Sequence, residues 1–248
     1  MKRRTFLSAT FSTMASLSFA QEPTPQFFFE ILEPSFEQEY STKKIQLTID
    51  DGPLNYMEEI IEGLGENKAT FYLVGNKLQI PNRFDLAKHA LEQGHLIGNH
   101  SFHHPAFSKI SFERMKTEIT KTDNLIERIH KETGIPRTHK LFRFPYGDPG
   151  DNTFNNTKPR NQKRKDIKNF LTTQGYETQL WDTDTNDWKH YSKSKKLSRT
   201  TILKNCAKAN NEDIVLCHDK PITANHIIPF YVNSQEYELT LPQPNVPI

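Results

Sequence analysis

The chain has 248 residues, 25% of them charged and 35% hydrophobic, with a formal net charge of +2. That length suits one large domain with a real core, and the balance excludes a chain disordered by composition. Nothing in the sequence resembles a nucleic-acid footprint, and beyond the first twenty residues no stretch approaches the length of a membrane span.

Lys2-Arg3-Arg4 opens the chain, an uncharged stretch runs to Ala20, and Ser18 and Ala20 stand at −3 and −1 of a cut before Gln21. This pattern predicts a signal peptide over 1–20, and Arg3-Arg4-Thr5-Phe6-Leu7 is similar to a twin-arginine export signal. Cleavage removes three basic residues and no acidic ones, leaving Lys+Arg 29 against Asp+Glu 30, a charge of −1. The expectation is an exported protein, periplasmic or secreted, with no stable membrane anchor. Residues 21–43 read as an N-terminal arm, 44–235 as the main domain and 236–248 as a Pro-rich tail without a clear pattern.

From Lys44 short apolar runs alternate with helical patterns. Strands are predicted at 45–49, 69–74, 95–99, 139–142, 176–181 and 214–216. Helices are predicted at 57–66, 84–93, 111–133, 163–174 and 197–209, several of them stopped by Gly. Residues 147–161 read as a Gly/Asn/Pro-rich loop. Strand followed by helix, about six times, argues for an α/β fold with a parallel sheet or barrel. Two cysteines, Cys206 and Cys217, are either buried free thiols or, in an exported protein, a disulfide. If 214–218 is a strand, Cys217 faces away from His218.

Five stretches that carry chemistry each follow a strand, where such folds place their sites. Asp50-Asp51-Gly52-Pro53 sets two carboxylates at a strand end. A turn there lets one bind a metal while the other takes a proton from a water the metal has acidified. His100 and His104 stand four apart, and neutral imidazole suits zinc; Pro105 disfavours helix, so a loop or single turn is expected. His103 lacks the spacing and is expected outside the ligand set. Asp51, His100 and His104 make three protein ligands, the number that leaves a position open for water.

Arg143, before Pro145-Tyr146-Gly147, would orient Asp50, and the Tyr146 backbone N–H would face a developing oxyanion. One Asp of Asp184 and Asp187 would pair with a histidine and raise its pKa. Trp188 offers a flat face to a sugar ring. His218 would protonate the leaving group, with Leu216 and Trp188 lining a pocket for an acetyl methyl.

Together, in this order, these stretches resemble the polysaccharide deacetylase family, the NodB-homology domain of carbohydrate esterase family 4. The motifs are Thr48-Ile49-Asp50-Asp51-Gly52-Pro53, His100-Ser101-x-x-His104, Arg143-x-Pro145-Tyr146, Asp184-x-x-Asp187-Trp188 and Leu216-x-His218. Ala69 to Gly75 also looks like a family strand. The resemblance runs from about Lys44 to Asp219 and implies a distorted (β/α) barrel with fewer than eight repeats. It implies Asp50 as general base and Asp51, His100 and His104 as metal ligands. It further implies Arg143 as the support of that base, Asp187 as the residue that tunes the acid His218, and Tyr146 in the groove. The metal would be Zn2+, with Co2+, Ni2+ or Mn2+ also suited to the ligands. The substrate would be an N-acetylated or O-acetylated poly- or oligosaccharide. Ile49 and Phe144 depart from the family pattern without touching this chemistry. Two other readings are a non-catalytic carbohydrate-binding domain on the same scaffold and a hydrolase of non-sugar linear amides.

Overall fold

A computed structural model describes residues 41–151 and 162–243. The predicted signal peptide, residues 21–40 of the arm, the 152–161 part of the loop and residues 244–248 lie outside the described residues. Among the described residues no helix is long and apolar enough to cross a membrane.

The strands are β1 (Lys43–Gly52), β2 (Thr70–Leu73), β3 (Leu96–Asn99), β4 (Leu141–Phe142), β5 (Glu177–Thr178), β6 (Thr183–Asp184), β7 (Ile214–His218) and β8 (Tyr237–Leu239). The α-helices are α1 (Met57–Leu64), α2 (Pro81–Glu92), α3 (Phe112–Thr133), α4 (Gln162–Thr173), α5 (Arg199–Cys206) and α6 (Ile228–Val232). Local chemistry sets several bounds. Pro81 occupies the first turn of α2, where its missing N–H costs nothing. The Ser111 hydroxyl caps α3 by accepting from the Arg114 N–H, and Gly134 ends the helix at φ 70°.

All strand pairs are parallel, in the order β5-β4-β3-β2-β1-β7-β6, with β8 pairing the start of β1. Strand neighbours follow the chain around a ring that stays open between β5 and β6. The result is a curled parallel half-barrel, a distorted (β/α) barrel of fewer than eight repeats, as the family resemblance implies.

The two faces of the sheet differ in chemistry. Ile45, Leu47, Ile49, Phe71, Leu73, Ile97, Val215 and Cys217 join the main apolar cluster with residues of α1, α2, α3, α5 and α6. The alternate residues of β1, Gln46, Thr48 and Asp50, take part in a polar network with Arg143 and Gln179. Arg143 is fully buried. Its guanidinium donates to Thr48 Oγ1 (2.6 Å), Asp50 Oδ1 (2.9 Å) and the carbonyls of Gln179 (3.0 Å) and Leu180 (2.8 Å). Its Cζ lies 4.1 Å from the centre of the Tyr72 ring, whose hydroxyl donates to Gln179. Gly98 leaves room for that ring, because a Cβ there would come within 2.4 Å of it.

Three sequence expectations need correction. The strand predicted over 176–181 is only Glu177–Thr178, followed after four residues by β6. The carbonyls of Gln179 and Leu180 serve Arg143 across the open seam instead of a neighbouring strand. The helix predicted over 197–209 is shorter, Arg199–Cys206, with Ser198 as its cap. The stretch read as a tail from 236 contains β8: Tyr237–Leu239 pairs with Lys43–Ile45. Its short apolar–charged–apolar run, Tyr-Glu-Leu, lacks enough length to register as a strand without a partner. Cys206 and Cys217 are both free and buried, with Cys217 in the outer apolar layer. Burial pushes the Cys206 thiol up to about 12, so it is inert as a nucleophile near neutral pH.

Candidate active site

Register brings the distant motifs to one level at the C-terminal ends of the strands. Asp50 pairs directly with His218 across β1 and β7, and Asp184 with Leu216 across β6 and β7. Asn99 pairs with Phe142, so the residues that follow, His100 and Arg143, leave their strands side by side. Asp51, Ser101, His104, Tyr146 and Asn186 all have positive φ (68°, 64°, 58°, 57° and 57°). Non-glycine residues adopt this conformation rarely and at a cost. Five of the six such residues described here belong to the site motifs, Glu212 being the other.

The left-handed turn at Asp51 breaks strand alternation, so both carboxylates reach the site. Asp50 Oδ1 accepts from Arg143, and its Oδ2 lies 3.5 Å from His100 Nε2. Asp51 Oδ1 lies 3.2 Å from His104 Nε2 and 3.8 Å from His100 Nε2. One ligand atom from each of Asp51, His100 and His104 falls within 4.8 Å of the others.

The donor chemistry of this group suits a cation. His100 Nδ1 is 2.9 Å from the Arg143 carbonyl, which accepts a hydrogen bond from the ring. That bond fixes the tautomer and leaves the Nε2 lone pair facing the cluster. His104 Nε2 stands 3.1 Å from His100 Nε2, so two ring nitrogens and a carboxylate oxygen converge on one point. Burial, helped by His100, lowers the His104 pKa to about 4, which keeps the ring neutral as a ligand must be. Burial alone would raise the Asp51 carboxyl, but His100, His104, His218 and Lys77 hold it below its usual range.

Opposite this group stands His218. Its Nδ1 is 2.7 Å from Asp187 Oδ1, while Asp187 Oδ2 accepts from the His218 backbone N–H (2.8 Å) and the Thr223 hydroxyl (3.0 Å). Burial works against the charged imidazole, yet Asp187, aided by Asp50 and Asp51, raises its pKa to about 9. Of the two acids proposed from sequence, Asp187 is therefore the partner of His218. Asp184 accepts from the Asn186 N–H instead, and burial raises its pKa.

Asp50, Asp51, His100, His104, Tyr146, Trp188, Leu216 and His218 all line one cleft of about 530 Å³. Arg143 and Asp187 lie behind its wall. Leu216 forms part of the wall beside His218, and Tyr146 packs edge-on to His104 with ring centroids 4.5 Å apart. Tyr146, Trp188 and Tyr191, at 65%, 47% and 47% exposed, give the cleft an aromatic rim.

Sequence reasoning missed the residues that brace these groups. Glu118 of α3 is buried and accepts from the backbone N–H groups of Phe102 (3.1 Å) and His103 (2.6 Å) and from Arg114 Nε (2.8 Å). Its Oε1 also lies 2.9 Å from His103 Nδ1, so His103 serves this anchor and stands outside the ligand cluster. Asn99 accepts from the Ser101 N–H, and Ser101 Oγ accepts from the His104 N–H. Asp219 accepts from the Leu54 and Tyr56 N–H groups and closes the turn after the carboxylate pair. One signal was available: Glu118 falls among Met115, Ile119, Thr122 and Ile126 on the buried stripe of α3. A carboxylate there requires partners.

A curled parallel α/β sheet, with an Asp–His–His cluster, an Arg-held carboxylate and an Asp–His pair at its strand ends, defines a half-barrel protein with a polar cleft at the C-terminal ends of its strands. The model of the family "Polysaccharide deacetylase" matches residues 37–163. The chain belongs to the polysaccharide deacetylase family. It is 31% identical over 173 residues to a peptidoglycan-N-acetylglucosamine deacetylase of Bacillus cereus, covering 68% of this chain and 55% of that protein. The chain thus spans about half the length of that relative. The solved structure of peptidoglycan deacetylase PdaC from Bacillus subtilis superposes with a TM-score of 0.61 at 27% identity, covering 81% of this chain and 88% of that one. A mutant of a family 4 pseudoenzyme superposes with a TM-score of 0.62 at 25% identity, covering 80% and 65%.

Proposed function

We propose that this protein is an exported hydrolase that removes acetyl groups from N-acetylated, or O-acetylated, sugars of a polysaccharide or oligosaccharide. The observation that carries this reading is the pairing of opposites in one cleft: an Arg143-held Asp50 beside the Asp51–His100–His104 cluster, facing a charged His218 held by Asp187.

Asp51, His100 and His104 would hold a divalent cation, Zn2+ by donor type, with Co2+, Ni2+ or Mn2+ as alternatives. Such an ion supplies Lewis acidity, lowering the pKa of water and polarising a carbonyl. Asp50 is placed to take the proton from the attacking water, and Arg143 fixes the direction in which its Oδ2 points. The Tyr146 backbone N–H would stabilise the developing oxyanion. His218 carries a proton below about pH 9 and hands it to the departing nitrogen or oxygen. Trp188, Tyr146 and Tyr191 offer apolar ring faces to the sugar, and Leu216 an apolar contact for the acetyl methyl.

The relatives named as peptidoglycan deacetylases support this class of substrate. The pseudoenzyme on a similar scaffold keeps a carbohydrate-binding role without catalysis as the competing reading. Acetate release decides between them, with mature protein stripped of metal, reloaded with zinc, and given chitooligosaccharides, peptidoglycan and acetylxylan. Zinc-dependent release from one substrate is the expected result. Retention of sugar without acetate, with zinc bound, would overturn the catalytic reading.

A further inference from the structure

The cleft holds two ammonium groups that the proposed chemistry does not use. Lys189 and Lys220 both line it, on the side of Trp188 and His218. Among the described residues, neither Nζ forms an ion pair or a hydrogen bond with the protein; the Lys189 ammonium instead lies 5.0 Å from the Trp188 ring centre. Lys77, the third ammonium near the site, is already engaged by the Asp51 carbonyl. Asp184, the remaining carboxylate of that wall, accepts from the Asn186 N–H.

The chain continues from this wall into a strongly basic stretch. From Trp188 to Asn211 there are seven Lys and Arg residues and no Asp or Glu. Lys193, Lys195 and Lys196 follow Tyr191 of the cleft wall, and all three are exposed. The rest of the chain carries 25 Lys and Arg against 30 Asp and Glu, so the excess is local. Unpaired cations beside an aromatic rim attract a ligand that is at once ring-shaped and anionic.

We infer that the glycan this site takes is acidic: an acetylated polysaccharide bearing carboxylates, one bound by Lys189 and Lys220 and its neighbours along 193–196. This inference rests on the deacetylase reading for the reaction but not for the binding. A carboxylate is planar and singly charged, which suits two separate ammonium groups in a cleft with an aromatic rim. It has two sources, an ether-linked acid on an acetylated amino sugar or the acid of the ring itself in a polyuronate.

The test is calorimetric affinity of the metal-free protein for two probes, each with its carboxyl-reduced alcohol form. One probe is peptide-free peptidoglycan glycan strands, the other an O-acetylated polyuronate. The expected result is about tenfold tighter binding of the carboxylated form of one probe, a preference that falls as salt rises. Lys189→Gln with Lys220→Gln should bring that ratio toward one, and Lys220→Arg should preserve it. Lys195→Gln with Lys196→Gln should lower it only for chains longer than the cleft. Equal affinity for carboxylated and reduced forms, no binding of either carboxylated probe, or a ratio unmoved by the double Lys189/Lys220 variant would overturn the inference. Acetate release on the same probes reports separately on the reaction: binding with the expected ratio but no acetate would leave the acidic-glycan site standing and remove the deacetylase reading.

Discussion

His104 and His218 stand on two sides of one cleft and carry the same side chain into opposite states. His104, half-buried and crowded by His100, has its pKa pushed down to about 4. His218 is half-buried too, yet the Asp187 carboxylate 2.7 Å away lifts it to about 9. Burial favours the neutral ring in both places, so the partner decides. Where the partner is a second imidazole, the ring stays neutral; where it is a carboxylate, the ring holds its proton.

The largest effect should come from removing the side that accepts protons. Asp50→Asn keeps the hydrogen bond with Arg143 within reach but loses the base, and acetate release should fall by about 10²–10⁴-fold. Zinc content measured by elemental analysis should stay near one ion per chain, since Asp50 is not among the three ligand atoms that converge. Wild-type turnover in that variant would contradict the role given to Asp50.

Asp187→Asn attacks the other side. Without its carboxylate the His218 ring loses what holds its proton, and turnover should drop by about 10²-fold or more. The alkaline limb of the rate profile, set near pH 9 by His218, should move to lower pH. An unmoved limb would mean that another group sets it.

Stability against pH separates the two histidines directly. For His218 the folded pKa lies above the unfolded value, so its stabilisation is complete below about pH 6.5 and is lost as pH rises through about 9. For His104 the folded pKa is depressed, so the unfolded chain binds the extra proton and stability falls as pH drops from about 6.5 toward 4. Melting curves of the metal-free protein should therefore fall away on both sides of neutrality. Asp187→Asn should flatten the alkaline side. His104→Ala should lessen the acidic side, leaving the share from His95, also pushed down to about 4, chiefly by burial.

The smallest effect concerns the brace. Glu118→Gln retains the shape but weakens the charge-assisted bonds to the loop between His100 and His104. Zinc affinity should fall by about 10–100-fold, the usual cost of disturbing groups that orient ligands. Equal affinity in a competition titration would show that Asn99 and Ser101 hold the loop unaided.

The sequence alone carried the strand–helix alternation, the glycine stop of α3, and the five motifs with their residue types, because periodicity and turn chemistry are local. It also placed Cys217 on the face opposite His218, since strand alternation is local too. What lay beyond it was pairing. The Glu118 brace, the unpaired Lys189 and Lys220, and β8 from a stretch read as a tail all depend on neighbours distant in the chain. The seam between β5 and β6 is the clearest case. Residues 176–181 have the composition of one strand, but the buried Arg143 guanidinium takes two of their carbonyls and stops the ladder. Side-chain chemistry can be read one residue at a time, whereas a hydrogen bond belongs to two residues, and only the folded chain decides which two meet.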